Sequence, residues 1–205
     1  MSHIADEYTV RYEKALIPIS RNLESFIANL LKGMGRIDRI SARAKSIDRF
    51  VGKAEKVVEG KLKYEAPFHQ IQDQIGARII TYYRCDVDRI EGEILRYFHP
   101  IESKDVVPQS EWEFGYFGRH QILLLPPDVV TNDIDPALVP ICFELQIKTL
   151  FQHAWSEANH DLGYKPGQKE LDRDDLRQLA FTSAQAWGAD RIFNELFEKR
   201  NVDGG

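Results

Sequence analysis

"FELQIKTLFQHAWSEANHDLGYK", residues 143–165, opens in strict alternation and continues at helical spacing, and that change of period decides the fold. Counting Ile141 just ahead, Ile141, Phe143, Leu145 and Ile147 fall on one face of a strand, and Glu144, Gln146 and Lys148 on the other. One face is core and the other is polar. Beyond it, His153, Glu157 and His160 stand at i, i+4 and i+7 and share one side of a helix. An ordinary half-exposed strand has the same alternation. Two imidazoles and a carboxylate at this spacing also suit a zinc ion, although the H-E-x-x-H order of zinc helices is absent.

Working outward, "GARIITYY" (76–83) is rich in β-branched and aromatic residues and predicts a strand. "RHQILLLPP" (119–127) predicts another, stopped by Pro126 and Pro127, and the loop "DVVTNDIDPALVP" leads from it to the opening stretch. Residues 5–33 place Leu16, Ile19, Leu23, Phe26, Ile27 and Leu30 at helical spacing, with Pro18 marking a start or a kink. A second helix is expected over about 41–58. From Gln168 onward, Leu176, Leu179, Ala180, Ala184 and Trp187, then Ile192 and Leu196, trace a helical stripe.

A chain of 205 residues with 43% hydrophobic content is long enough to bury a core, as one compact domain or a core with a helical appendage. Cys85 and Cys142 both sit in apolar, strand-like contexts, which predicts free thiols and suits a reducing cytosol. The start "MSHIADEYTV" has no basic region followed by an apolar run, and "ILLL" is far too short to span a bilayer, so the expectation is a cytoplasmic protein without a membrane partner. The net charge of −5 argues against broad nucleic-acid affinity, but its distribution is uneven. Residues 32–63 hold ten Lys/Arg against four Asp/Glu, which leaves −11 on the rest. In the predicted helix Lys45, Arg49, Lys53 and Lys56 share one face, either a solvated surface or a cradle for a polyphosphate.

The opening stretch resembles the E-x-Q-I/F-R/K-T…H-x-W-x-x-x-x-H-x-x-x-Y-K signature of RelA/SpoT-type (p)ppGpp synthetase domains, in particular the single-domain small alarmone synthetases. Three further stretches fit in order. "RAKSIDRFVGK" resembles the R-x-K…K donor motif, "DQIGARI" the D-x-x-G-x-R-I motif, and "GYFGRH" the G-Y-x-x-x-H acceptor loop. The resemblance runs from about residue 36 to 165. It implies an α/β (α+β) fold, a nucleotidyltransferase-like mixed sheet of about five strands flanked by helices. Its organisation would be an N-terminal helical element (1–35), a synthetase core (36–167), C-terminal helices (168–200) and a tail (201–205).

The implied reaction moves the β,γ-pyrophosphoryl group of ATP to the 3′-hydroxyl of GDP or GTP. Such a transfer needs charge neutralisation and alignment more than covalent help. By resemblance Asp73 and Glu144 hold Mg²⁺, and Glu144 also activates the acceptor hydroxyl. Arg43, Lys45, Lys53 and Arg78 would bind ATP. Tyr116 would stack on guanine, with His120, Gln146 and Lys148 around the acceptor's ribose or phosphates. Structural alternatives stay open: Asp73 as a turn cap, Glu144 as a partner of Lys148.

Two departures bear on the acceptor and the donor. Where many family members carry Lys or Arg in and before the acceptor loop, "SEWEFGYFGRH" has Glu111 and Glu113 and keeps only Arg119. In the donor motif, Arg49 replaces a small hydroxyl residue. The first departure points toward toxin-like branches that pyrophosphorylate the tRNA 3′ end or make adenosine alarmones; a catalytically silent nucleotide-binding module is the remaining alternative. A homo-oligomer or an antitoxin is a compatible partner.

Overall fold

The computed structural model describes residues 3–106, 114, 118–163 and 171–202. Helix α1 (His3–Arg11) runs through a π turn at Tyr12–Leu16 into α2 (Ile17–Leu30). The Ile17 N–H bonds to the Tyr12 carbonyl, five residues back, and Pro18, which has no N–H to continue the ladder, follows immediately after this π turn. Next come β1 (Ile37–Ala44), α3 (Ile47–Ala54), a small hairpin of β2 (Val57–Val58) and β3 (Lys61–Leu62), and the short α4 (Pro67–Gln70). Then β4 (Ile75–Thr81), α5 (Arg84–Tyr97), β5 (Pro100–Val106) and β6 (Gly118–Leu124) lead to β7 (Cys142–Thr149), α6 (Leu150–Gly163) and the long α7 (Arg173–Val202).

Five strands form one mixed sheet in the order β1-β4-β7-β6-β5, with β4 and β7 parallel and every other pair antiparallel. The expected α/β architecture is therefore present, strand count included. One face of the sheet carries Ala77, Ile79, Phe143, Leu145, Ile147 and Leu123, all buried. Against it lie Ile19, Leu23 and Ile27 of α2 and Ile90 and Ile94 of α5, also buried. Each buried Ile, Leu or Phe here contributes roughly 1.5–3 kcal/mol of burial, which fixes the register of the two central strands. The opposite face is therefore free to be polar.

Several sequence expectations need correction. The basic segment is not one helix: residues 37–44 pair with β4 as a strand, and α3 begins only after Ser46. Backbone pairing with an apolar neighbour outweighs a helical charge pattern there. Lys45 thus precedes the helix and Lys56 follows it, so the proposed four-residue face does not exist. Ile141 lies outside β7 and is 68% exposed. The α7 helix forms as expected, but Leu176, Trp187, Ile192 and Leu196 of its stripe are exposed. Its buried side instead presents Ser183 and Asp190, and Asp190 Oδ2 accepts a hydrogen bond from Thr149 Oγ1 (2.7 Å) at the end of β7. Both cysteines are free, as expected. No helix among the described residues is long and apolar enough to cross a membrane.

Candidate active site

The polar face of the sheet is organised in two lateral rows. Arg43, Gly76, Glu144 and Ile122 are register partners across β1, β4, β7 and β6; one step along lie Ser41, Arg78, Gln146 and His120. Partners across a ladder share a face, so side chains far apart in sequence converge without any loop having to deliver them. Gly76 leaves a gap in the first row between Arg43 and Glu144, and a Cβ there would meet nothing within 4 Å. That gap is part of the floor of a cleft of about 550 Å³, lined by Tyr12, Ser41, Arg43, Lys45, Ser46, Arg49, Asp73, Arg78, Glu144 and Gln146, among others.

Asp73 stands in the 3-10 turn just before β4 and meets two cations. Lys45 Nζ lies 2.8 Å from Oδ2 and Lys53 Nζ 3.0 Å from Oδ1. The cations that the sequence placed on one helix face converge instead on a carboxylate, one from the β1–α3 turn and one from the last turn of α3. Burial pushes the Asp73 carboxyl up, but the charges and hydrogen bonds of Lys45 and Lys53 together outweigh it and hold it below the usual carboxylate range. Asp73 is therefore not a mere turn cap.

Glu144 does not pair with Lys148. Its Oε1 lies 3.0 Å from His120 Nδ1 and its Oε2 accepts from Gln146 Nε2 at 2.9 Å. Burial raises its pKa, His120 and Gln146 lower it by more, and the net shift is downward. Two ionised carboxylates in a cleft rich in cations offer hard oxygen donors suited to Mg²⁺, which binds one or two carboxylates plus substrate phosphates.

Arg78 bonds to Glu157 of α6 (2.8 Å), with His153 Nδ1 at 3.5 Å from the same nitrogen. Two members of the suspected zinc set are thus tied to a cation, and no group of three or more His, Cys, Asp or Glu among the described residues is placed to hold a metal ion. Lys148 is 3% exposed beneath α6, with Ser156 Oγ 3.3 Å from Nζ. Burial first, and the charge of Arg78 second, push its pKa down to about 7. Tyr116, Glu111 and Glu113 lie outside the described residues. Arg119, the remaining cation of the acceptor stretch, is directed to the opposite face, where it pairs with Asp88 and Glu91 of α5.

The structure thus brings Arg43, Lys45, Lys53, Asp73, Arg78, Glu144, Gln146 and His120 together. Sequence reasoning missed Tyr12, Ser41 and Ser46 as lining residues. Ser41 alternates with Arg43 and was findable once 37–44 is taken as a strand; Tyr12, on a helix expected to serve only the core, carried no such signal.

Residues 42–169 match the family described as the region found in RelA / SpoT proteins. The chain belongs to the RelA/SpoT family. GTP pyrophosphokinase YjbM of Bacillus subtilis (strain 168) is 24% identical over 198 residues, covering 93% of this chain and 89% of the relative. A GTP pyrophosphokinase family protein from Streptococcus pneumoniae superposes with a TM-score of 0.75 at 20% identity, over 99% of this chain and 97% of that one. Small alarmone synthetase 1 from Bacillus subtilis, bound to its product pppGpp, does so with a TM-score of 0.72 at 20% identity, over 96% and 97%. The RelA/SpoT region spans β4, β7 and α6, and with them both carboxylates of the cleft.

Proposed function

We propose that this protein is a Mg²⁺-dependent pyrophosphokinase that transfers the β,γ-pyrophosphoryl group of ATP to the 3′-hydroxyl of GDP or GTP, making (p)ppGpp. The observation that carries the reading is the cleft itself: Asp73 and Glu144, both held ionised, within a wall of Arg43, Lys45, Arg49 and Arg78, with Lys53 paired to Asp73. The relative named GTP pyrophosphokinase and the pppGpp-bound structure of small alarmone synthetase 1 support it.

In this reading Lys45, Lys53, Arg43 and Arg49 neutralise the donor's phosphates, and Arg78 braces its nucleoside end. Asp73 and Glu144 would hold Mg²⁺, which supplies charge neutralisation at the phosphates. Glu144, oriented by His120 and Gln146, accepts the acceptor's 3′-hydroxyl proton. The 3′-oxygen bonds to the β-phosphorus, the bond from that phosphorus to the α–β bridging oxygen breaks, and AMP leaves with that oxygen. Tyr116 is assigned to the guanine base.

The test incubates γ-labelled ATP with GDP, GTP, ATP or tRNA as separate acceptors and follows AMP and labelled product. Transfer to GDP or GTP with a weak salt dependence is expected. A tRNA acceptor would instead show log K falling steeply with log[salt] as backbone phosphates are neutralised. Glu111 and Glu113 are the observation that favours this second reading, and label found only in tRNA would establish it. Lys53→Ala should raise the KM for ATP roughly tenfold with any acceptor, the loss of one charge-assisted contact; an unchanged KM would remove Lys53 from the donor site.

A further inference from the structure

The N-terminal helix reaches the two adjoining turns that carry Lys45 and Asp73. Tyr8, fully buried and stacked on Phe50 of α3 with ring centroids 3.7 Å apart, donates its hydroxyl to the Lys45 carbonyl at 2.9 Å. The Lys45 N–H in turn donates to the Gln74 carbonyl at 2.8 Å. One turn after Tyr8, Arg11 is only 7% exposed and divides its guanidinium among three neutral oxygens. Nη1 donates to Gln74 Oε1 (3.0 Å) and to the Phe68 carbonyl (3.3 Å), and Nη2 to the Ala137 carbonyl (3.0 Å). Gln74, 2% exposed, completes the frame by donating to the carbonyls of Phe68 (2.8 Å) and Ile71 (3.1 Å).

Asp73 sits inside that frame. It is the neighbour of Gln74 in the chain, and its backbone (φ −93°, ψ 33°) departs from helical values within the 3-10 turn, so the turn does not hold itself by regular pairing. Beside the Lys45 N–H bond to the Gln74 carbonyl, the turn is anchored from outside by the Arg11–Gln74 link, made across 63 residues of sequence. A buried guanidinium with neutral partners is costly and is a poor choice for filling space alone. Its rigid fork, however, can grip three acceptors on three segments at once. The π turn begins at the very next residue and rephases the helix. Tyr8 and Arg11 can thereby face the cleft's frame while Leu16, Ile19 and Leu23 face the sheet; such turns recur at functional sites.

We propose that Arg11 is a positioning residue of the donor and metal site: acting through Gln74, it sets where the Asp73 carboxylate stands relative to Lys45, Lys53 and Glu144. The N-terminal helix is then part of the catalytic unit. This inference rests on the pyrophosphokinase reading of the cleft.

The experiment measures binding of a non-hydrolysable ATP analogue by calorimetry with and without Mg²⁺, alongside kcat, KM and Tm. The variants are Arg11→Met, Arg11→Lys and, as a stability control, Ile27→Ala in α2. Arg11→Met should lose about tenfold or more of the Mg²⁺-dependent gain in affinity, as expected when a partner behind a metal ligand is removed. Metal-free affinity should change less than about twofold, because the phosphate-binding cations remain. The kcat should fall more than KM rises, and Arg11→Lys should recover part of the gain. Ile27→Ala should lower Tm and leave the Mg²⁺ increment intact. If Arg11→Met lowers Tm as Ile27→Ala does and keeps the increment, Arg11 merely supports the fold and the proposal fails. Should Arg11→Met not fold, Gln74→Met, which keeps the guanidinium and cuts its link to the turn, carries the same expectation and the same refutation. A wild-type chain with no Mg²⁺ increment would overturn the reading of the cleft itself.

Discussion

Asp73→Asn and Glu144→Gln are each expected to reduce pyrophosphate transfer by at least about 10²–10³-fold, the scale of losing one preorganised electrostatic contact at developing charge. Both changes keep shape and remove charge. They should nevertheless differ in binding. In the free protein Asp73 neutralises Lys45 and Lys53 at 2.8 and 3.0 Å, so Asp73→Asn releases two ammonium groups from an internal counter-ion. Metal-free affinity for ATP should therefore hold or rise while turnover is lost. Among the described residues Glu144 pairs with no lysine in this way; its partners are His120 and Gln146. Glu144→Gln should leave ATP affinity nearly unchanged and strike the step in which the acceptor hydroxyl gives up its proton. Circular dichroism and Tm close to wild type would show that the fold survives. Wild-type rates of AMP release from either folded variant would sink the assignment of both carboxylates.

How much of this was legible in the sequence follows from the range of the interactions involved. The alternation of Phe143, Leu145 and Ile147 against Glu144, Gln146 and Lys148 is local, and the strand formed as its pattern required. The same holds for β4 and for the stripe of α2, whereas the stripe of α7 stays largely exposed. The segment 37–54 misled because its basic residues fit a helical face, whereas the decisive fact, pairing of Arg43 with Gly76 and of Ser41 with Arg78, is tertiary. Helix α5 and strand β5 were not assigned at all. The signal for α5 was present in Val87, Ile90 and Ile94, but it lies within a charge-dense stretch that dilutes it. Of the site, the residues within each motif were legible because spacing carries chemistry. The contacts between segments were not: Lys45 and Lys53 meeting on Asp73, His120 on Glu144, and Arg11 on Gln74 are invisible until the sheet and the N-terminal helix bring them together.

Lys148→Met is expected to make the free protein more stable and to disable it. The ammonium is 3% exposed, and burial together with the charge of Arg78 lowers its pKa to about 7, from 10.5 in an open chain. Between those values the unfolded chain binds a proton that the folded chain does not, so stability rises with pH across that window and the full cost of the buried charge is present below about pH 7. A Met of similar length removes the cost, and roughly 1–3 kcal/mol of stabilisation is expected at pH 7. The gain should shrink as the pH approaches 10, which thermal melts across pH would follow. An acceptor polyphosphate beside the Lys148 ammonium would favour its charged form, so wild-type binding of GTP at pH 8 should take up a proton, read as a dependence of the calorimetric heat on the buffer's ionisation enthalpy. In Lys148→Met that uptake should vanish and transfer should fall about 10²-fold or more. A Met variant less stable than wild type at pH 7 would show that Lys148 is a net structural asset, and one that still transfers pyrophosphate at the wild-type rate would remove it from the acceptor site.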